Sequence, residues 1–210
     1  YEKSSLCDNL NKIIVATDDE RISFHVKSFA GNVMMTSKNH ESGTERCGEV
    51  LKKSIENFDL IINIQGDEPF INPEQIKQLI QLFDEESPQI ATLSKRFNNF
   101  ENFIDENKVK VKINTDGFAD DFYRTSVINE VEFLERDYFK HIGIYAFRSD
   151  VLQKIINLPK SKTEEKLNLE QLRWLDNQYK IKVGVTKLEA LSVDRIEDIE
   201  KIVEFHEKNV

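Results

Sequence analysis

Cysteine is nearly absent: Cys7 and Cys47 are the only two in 210 residues. They show no CxxC spacing, which argues against a disulfide framework and a cysteine zinc site. A reduced, cytoplasmic compartment is expected. An excess of positive charge is lacking too. Against 29 Lys and Arg stand 38 Asp and Glu, a formal net charge of -9. A general nucleic-acid surface demands clustered cations, so that class is excluded. A small anionic substrate in a local basic pocket is not. No apolar run approaches the ~18–20 residues of a membrane span, so no membrane partner is expected, and the first residues do not read as a signal peptide. Nothing repeats, and no low-complexity tract or linker interrupts the chain. What is present, 39% apolar and 32% charged residues, describes a soluble globular protein with one sizeable core.

The most informative string is Leu60-Ile61-Ile62-Asn63-Ile64-Gln65-Gly66-Asp67-Glu68-Pro69. Its apolar, β-branched start reads as a strand buried on both faces of a parallel sheet. It then breaks into Gly, two carboxylates and Pro. In open α/β sheets ligands bind beyond the carboxyl ends of strands. Carboxylates there suit Mg²⁺, which takes one or two of them plus substrate phosphates. A turn with an N-capping acid is the plainer alternative.

Ile13–Thr17, Val33–Thr36 and Ile90–Ser94 are further strands, separated by helical patterns. Ile22, Val26 and Phe29 form one helical stripe. Glu45, Glu49 and Lys53 lie on one solvated face of a helix opening near Gly43. Pro73–Phe83 is amphipathic, with Pro73 near its first turn. This alternation predicts an α/β fold with a mostly parallel, Rossmann-like sheet. The second half changes character. Val109–Ile113 alternates apolar and charged residues, the mark of a half-exposed antiparallel strand. Asn114–Gly117 turns the chain back into Phe118–Arg124, a hairpin. Ile142–Phe147 is a buried strand and Ile181–Val185 an edge-like one. Val151–Asn157, Leu167–Asn177 and Ile196–Lys208 are helices. One domain over 1–210 is expected, carrying a smaller antiparallel region at about 109–145.

Five segments occur in a telling order: Ile14–Asp19, His40-Glu41-Ser42-Gly43-Thr44-Glu45-Arg46, Gln65-Gly66-Asp67-Glu68-Pro69, Lys140–Tyr145 and Leu169–Arg173. Together they resemble the 3-deoxy-manno-octulosonate cytidylyltransferases, and the resemblance covers nearly the whole chain. It implies a nucleotide-diphospho-sugar transferase fold, and transfer of CMP from CTP to the sugar acid Kdo in lipopolysaccharide biosynthesis. The Kdo C2 hydroxyl attacks the α-phosphate and pyrophosphate leaves. It implies Mg²⁺ as cofactor and a homodimer formed through the β-region. An 8-amino analogue of Kdo is an alternative substrate. A homologue that binds sugar or nucleotide without turnover is another alternative.

By resemblance, Asp67 and Asp194 are the metal carboxylates, and both are counted catalytic together with Arg124. A helix N-cap is the plainer role for Asp194. Ser42, Gly43 and Thr44 belong to the cytosine and ribose site, with Gln65 among the substrate-binding residues. Arg46 pairs with phosphate or with an acidic neighbour. Arg124, His141, Tyr145, Glu170 and Gln171 match positions around the sugar acid. Arg124 can hold its carboxylate through a forked pair of hydrogen bonds, and His141, Glu170 and Gln171 can bond to hydroxyls. Trp174 is expected in core or interface packing. The family opens with a strand and a loop rich in Arg, Ser, Thr and Lys that grips the triphosphate. This sequence starts at Tyr1 with a helical pattern, so an upstream strand and loop are expected. Prolines usual after the sugar-site arginine are lacking after Arg124. Ser192 and Arg195 stand where the family has Gly and Thr.

Overall fold

A computed structural model describes residues 1–84, 87–189, 193, 200 and 203. The elements follow in the order α1 (Glu2–Ser5), β1 (Val15–Thr17), α2 (Glu20–Ser28), β2 (Val33–Met35), α3 (Gly43–Lys53), β3 (Leu60–Asn63), α4 (Pro73–Gln81), β4 (Ile90–Arg96), α5 (Phe100–Ile104), β5 (Lys110–Ile113), β6 (Ala119–Tyr123), α6 (Glu130–Leu134), β7 (Phe139–Arg148), α7 (Ser149–Ile155), α8 (Lys162–Leu167), α9 (Gln171–Asp176) and β8 (Ile181–Val185). Asp194 and the expected helix Ile196–Lys208 lie outside the described residues, apart from positions 200 and 203.

β1 and β2 pair in parallel. The larger sheet has the order β6-β5-β7-β4-β8, with β3 also on β7. β4 and β8 are parallel. β7 runs antiparallel to β3, β4 and β5. So β3, β4 and β8 share one direction, and β7 is threaded between β3 and β4 against it. β4 follows β7 along nearly its full length, from Ile90↔Phe147 to Arg96↔Phe139. β3 and β5 must therefore share the other edge. β3 takes Tyr145–Arg148 and β5 takes Phe139 and Lys140. The expectation for β3 of parallel neighbours on both sides gives way here: its ladder among the described residues is the antiparallel one with β7, and Leu60–Ile62 are half-buried.

Both faces of the sheet are covered, which is why its central strands read as unbroken apolar runs. Against one face pack Leu51 of α3, Val151, Leu152 and Ile155 of α7, and Leu172 and Trp174 of α9. Against the other pack Ile76 and Leu79 of α4, over Ala91, Leu93, Ile142, Ile144 and Ala146. Phe97, Phe103 and Phe133 form a separate aromatic cluster under α5 and α6. Trp174 is core, one of its two expected settings.

Several local expectations shift. The buried residues of α2 are Ser23 and Val26, whereas Ile22 is exposed and Phe29 stacks beside Tyr1, with ring centroids 5.6 Å apart. Leu167–Asn177 is not one helix. α8 ends at Asn168, a left-handed residue (φ 55°), and α9 starts at Gln171. Asn tolerates that conformation and so makes a helix stop. Lys110, expected on the exposed side of β5, is fully buried. Its Nζ donates to the carbonyls of Asp105 (2.7 Å) and Arg124 (2.6 Å) and lies 5.6 Å from the Phe103 ring centre. Gly117 occupies the hairpin turn with φ 79°, a conformation Gly adopts without strain.

Candidate active site

The turn before α3 is built from its own caps. Ser42 accepts from the Glu45 N–H as N-cap. A Cβ on Gly43 would come within 3.1 Å of the Asn63 amide, so the first turn of α3 lies directly on the end of β3. Of the face of α3 predicted as solvated, Glu45 and Glu49 are half-buried against the preceding loop and Lys53 is exposed. His40 is held between Glu49 and Glu45, and the Ser37 N–H donates to Glu49 at 2.8 Å. Lys53, that N–H and His40 together hold the Glu49 carboxyl down at about 2. Arg46 leaves on another side of α3. Its Nη1 donates to the Thr36 hydroxyl (2.6 Å) and stands 3.6 Å from the Asp18 carboxylate. Of its two expected partners, the acidic neighbour is the one seen.

Ser42 and Thr44 both donate to Glu170, the residue before α9. Ser42 Oγ reaches Oε1 and Thr44 Oγ1 reaches Oε2, each at 2.8 Å. This joins positions 128 and 126 residues apart. Burial raises the Glu170 pKa, and the bonds from Thr44 and Ser42 offset part of that. Its charge reaches two neighbours. Cys47 is pushed up to about 12, first by burial and then by Glu170. That is no reactive thiol. Tyr145 is raised well above its ordinary value by burial and then by Glu170, so its phenol stays a donor.

Tyr145 Oη and Trp174 Nε1 are buried without a hydrogen-bond partner among the described residues, and the two rings meet edge-on with centroids 5.0 Å apart. Gln171 is buried as the first residue of α9. On β7, two turns of pleat before Tyr145, stands His141, with ring centroids 5.3 Å apart. Its Nε2 lies 3.0 Å from the Thr92 hydroxyl. Burial, and then the charge of Lys140, push His141 down to about 3.

The remaining predicted residues sit on the same strand framework. Gln65, just past β3, donates to the Gly143 carbonyl at 3.2 Å. It bridges the stretch of β7 edge left open between β3 and β5. Asp67 is half-buried in the tight turn that follows, where the Glu68 N–H bonds to the Gln65 carbonyl. The Val193 N–H donates to the Asp67 carbonyl at 2.8 Å. The backbone immediately before Asp194 thus returns to Asp67 across more than half the chain. The Asp67 carboxylate is a hard oxygen donor at a strand end, a ligand type that suits a Mg²⁺ ion also taking phosphate oxygens; Asp194 lies outside the described residues. Arg124, after β6, ties the hairpin to the end of α8. Its Nε donates to Leu167 O (3.0 Å), Nη1 to Glu106 O (3.2 Å) and Nη2 to Asn168 O (3.4 Å). Three of its five N–H donors are thereby engaged.

The structure thus brings Ser42, Thr44 and Glu170 into direct contact and sets His141 beside Tyr145. Arg46 and Arg124 are anchored to other elements. One participant carries no sequence signal for such a role: Thr92 looks like one more β-branched strand residue.

Glu170→Gln is expected to leave Tm unchanged or slightly higher, because it removes a buried charge while keeping an acceptor. Turnover is expected to fall roughly tenfold or more, the order of a lost charged hydrogen bond. Thermal melts and steady-state kinetics on the same preparation check this. Unchanged kinetics would make Glu170 a scaffold residue only.

The model of the cytidylyltransferase family matches residues 1–181. A 3-deoxy-manno-octulosonate cytidylyltransferase of Parabacteroides distasonis is 46% identical over 208 residues, 94% of this chain and 83% of that protein. An 8-amino-3,8-dideoxy-manno-octulosonate cytidylyltransferase of Shewanella putrefaciens is 40% identical over 204 residues, 96% of this chain and 83% of that one. Among solved structures, a CMP:2-keto-3-deoxy-manno-octonic acid synthetase complexed with CTP superposes with a TM-score of 0.92 at 34% identity, covering 100% of this chain and 86% of the other.

Proposed function

Because the chain belongs to the 3-deoxy-manno-octulosonate cytidylyltransferase family, we propose that it transfers CMP from CTP to Kdo and releases pyrophosphate. The observation that carries this reading is the double hydrogen bond from Ser42 and Thr44 to Glu170. It supports the reading by joining two residues expected to meet the nucleotide to one expected to meet the sugar.

In this reading Ser42, Gly43 and Thr44 lie against the cytidine, and Thr44 and Ser42 also orient the Glu170 carboxylate. Glu170, Gln171 and His141 bond to sugar hydroxyls. The buried Tyr145 phenol donates one more hydrogen bond. Arg124 offers its two remaining N–H groups to the sugar carboxylate, a planar match that Lys lacks. Asp67 and Asp194 are the residues that would hold Mg²⁺, whose chemistry is to neutralise phosphate oxygens during an in-line displacement. The protein's own contribution is mostly positioning, because phosphoryl transfer needs little covalent chemistry from side chains.

We further propose a homodimer. Val127, Val131 and Leu134 are strongly exposed within eight residues of the β-region, which suits burial against a second copy. No helix among the described residues is long and apolar enough to cross a membrane, and a cytoplasmic site of action fits the reduced cysteines.

Pyrophosphate release measured with CTP, Kdo and Mg²⁺ tests the reading. Turnover is expected only when all three are present, and not when ATP replaces CTP. Kdo and its 8-amino analogue, run side by side, rank the two sugars by kcat/KM. Equal use of ATP, or no pyrophosphate with either sugar, would overturn the proposal.

A further inference from the structure

We infer that Thr92 is a positioning residue for the sugar half of the site: its hydroxyl fixes the hydrogen-bonding polarity of His141, so that Nε2 carries the proton and Nδ1 meets substrate as an acceptor. The inference rests on the proposed sugar contact of His141.

The argument begins with an irregularity in the sheet. Along β4, Thr92 pairs with Tyr145, but the next residue, Leu93, pairs with Ile142. Two residues of β7, Gly143 and Ile144, are therefore extra. Such bulges occur beside active sites, where they re-aim side chains. Thr92 sits at this bulge and is fully buried. Three groups converge on its hydroxyl: Ile144 O at 2.8 Å, Ile142 O at 3.1 Å and His141 Nε2 at 3.0 Å.

A hydroxyl has one proton to give and two lone pairs. Both carbonyls can only accept. If Thr92 donated to His141, neither carbonyl would face a proton, and two buried oxygens would press on a third. The favourable arrangement sends the Thr92 proton to Ile144 O and takes the Nε2–H of His141 into a lone pair. The second nitrogen, Nδ1, is then bare, and it has no protein partner among the described residues. Desolvation of the half-buried ring, and then the Lys140 charge, keep it neutral, so the ring takes up no second proton near neutral pH. A bare ring nitrogen accepts from a hydroxyl and repels a carboxylate. It therefore assigns His141 to a sugar hydroxyl and leaves the carboxylate to a cation such as Arg124. The Phe122 ring, edge-on with its centroid 5.1 Å away, restricts reorientation of the imidazole.

Two variants separate polarity from packing. Thr92→Val keeps the shape and removes the hydroxyl, and Thr92→Ser keeps the hydroxyl. In the parent, two-bond ¹⁵N–¹H correlations are expected to show His141 as a single Nε2–H tautomer. The chain has only four histidines, and a His141→Asn variant assigns the signal. Thr92→Val is expected to mix or invert the tautomer and to raise the KM for Kdo about tenfold, with the KM for CTP within about twofold. Thr92→Ser is expected to restore both. An Nδ1–H tautomer in the parent overturns the inference, as does a Thr92→Val enzyme whose Kdo KM is unchanged or whose CTP KM rises equally. If Thr92→Val does not fold, the parent spectrum and the Thr92→Ser kinetics still decide. If no form turns over Kdo, the proposed function fails, and the tautomer measurement still tests what Thr92 does to His141.

Discussion

Asp67→Asn is expected to abolish turnover and leave the protein folded. Asn keeps the size of the side chain but removes the charge a divalent ion needs. Loss of a metal carboxylate costs on the order of several kcal/mol of transition-state stabilisation, roughly a thousandfold in rate. One long-range bond at this position comes from the backbone and does not depend on the side-chain charge. It is the Asp67 carbonyl that accepts the Val193 N–H, and Asn carries the same carbonyl. Asp194→Asn should be similarly impaired, and the double variant little worse than either, since residues acting as a unit are strongly non-additive. Mg²⁺ titrations of activity across these variants, with melts alongside, decide the matter. A variant that melts early yet retains the parent's Mg²⁺ dependence would make Asp67 a turn residue.

The second large effect concerns stability. Arg173 and Glu164 form a buried, two-point ion pair, with Nε to Oε2 at 2.7 Å and Nη2 to Oε1 at 2.6 Å. Their side chains are 4% and 8% exposed. Glu164 is also the capping-box partner of Ser161 at the start of α8. Arg173→Met is expected to strand the Glu164 carboxylate in the core. Breaking a buried pair from one side costs about 3–5 kcal/mol, which for a domain of this size is a fall in Tm of roughly 6–20 °C. Adding Glu164→Gln should recover much of it, because the remaining group is then neutral. Calorimetry of the single and double variants reads this directly. A single variant melting within a degree or two of the parent would mean that water reaches Glu164.

Leu60–Ile64, Ile90–Ser94 and Ile142–Phe147 were legible as strands because each is a short, mostly apolar run without a charged residue. Their pairing was not, since nothing local in Ile142–Phe147 says that it runs against its neighbours. The short helices α5, α6 and α8 span too few turns to show a period, although Asn99, the Asn129–Glu132 box and the Ser161–Glu164 box mark their starts. Lys110, Glu45 and Glu49 were read as solvated because their partners are distant in sequence or supplied by backbone carbonyls and loop N–H groups. In the site, Asp67 stood out for its place at a strand end. The bond from Ser42 to Glu170 spans 128 positions, and only the ordered motifs placed both residues in one pocket.

The reversed strand β7 has a consequence for tolerance. Gln65 on the proposed metal side, Thr92 and His141 on the proposed sugar side, and the hairpin bearing Arg124 are each tied to β7 through their own strand, one ladder or one hydrogen bond. Positional error between the two substrates is thus set across one or two strand spacings of about 4.8 Å. It does not accumulate along the intervening chain. Drift in the surface loops between these elements leaves the reacting groups in register.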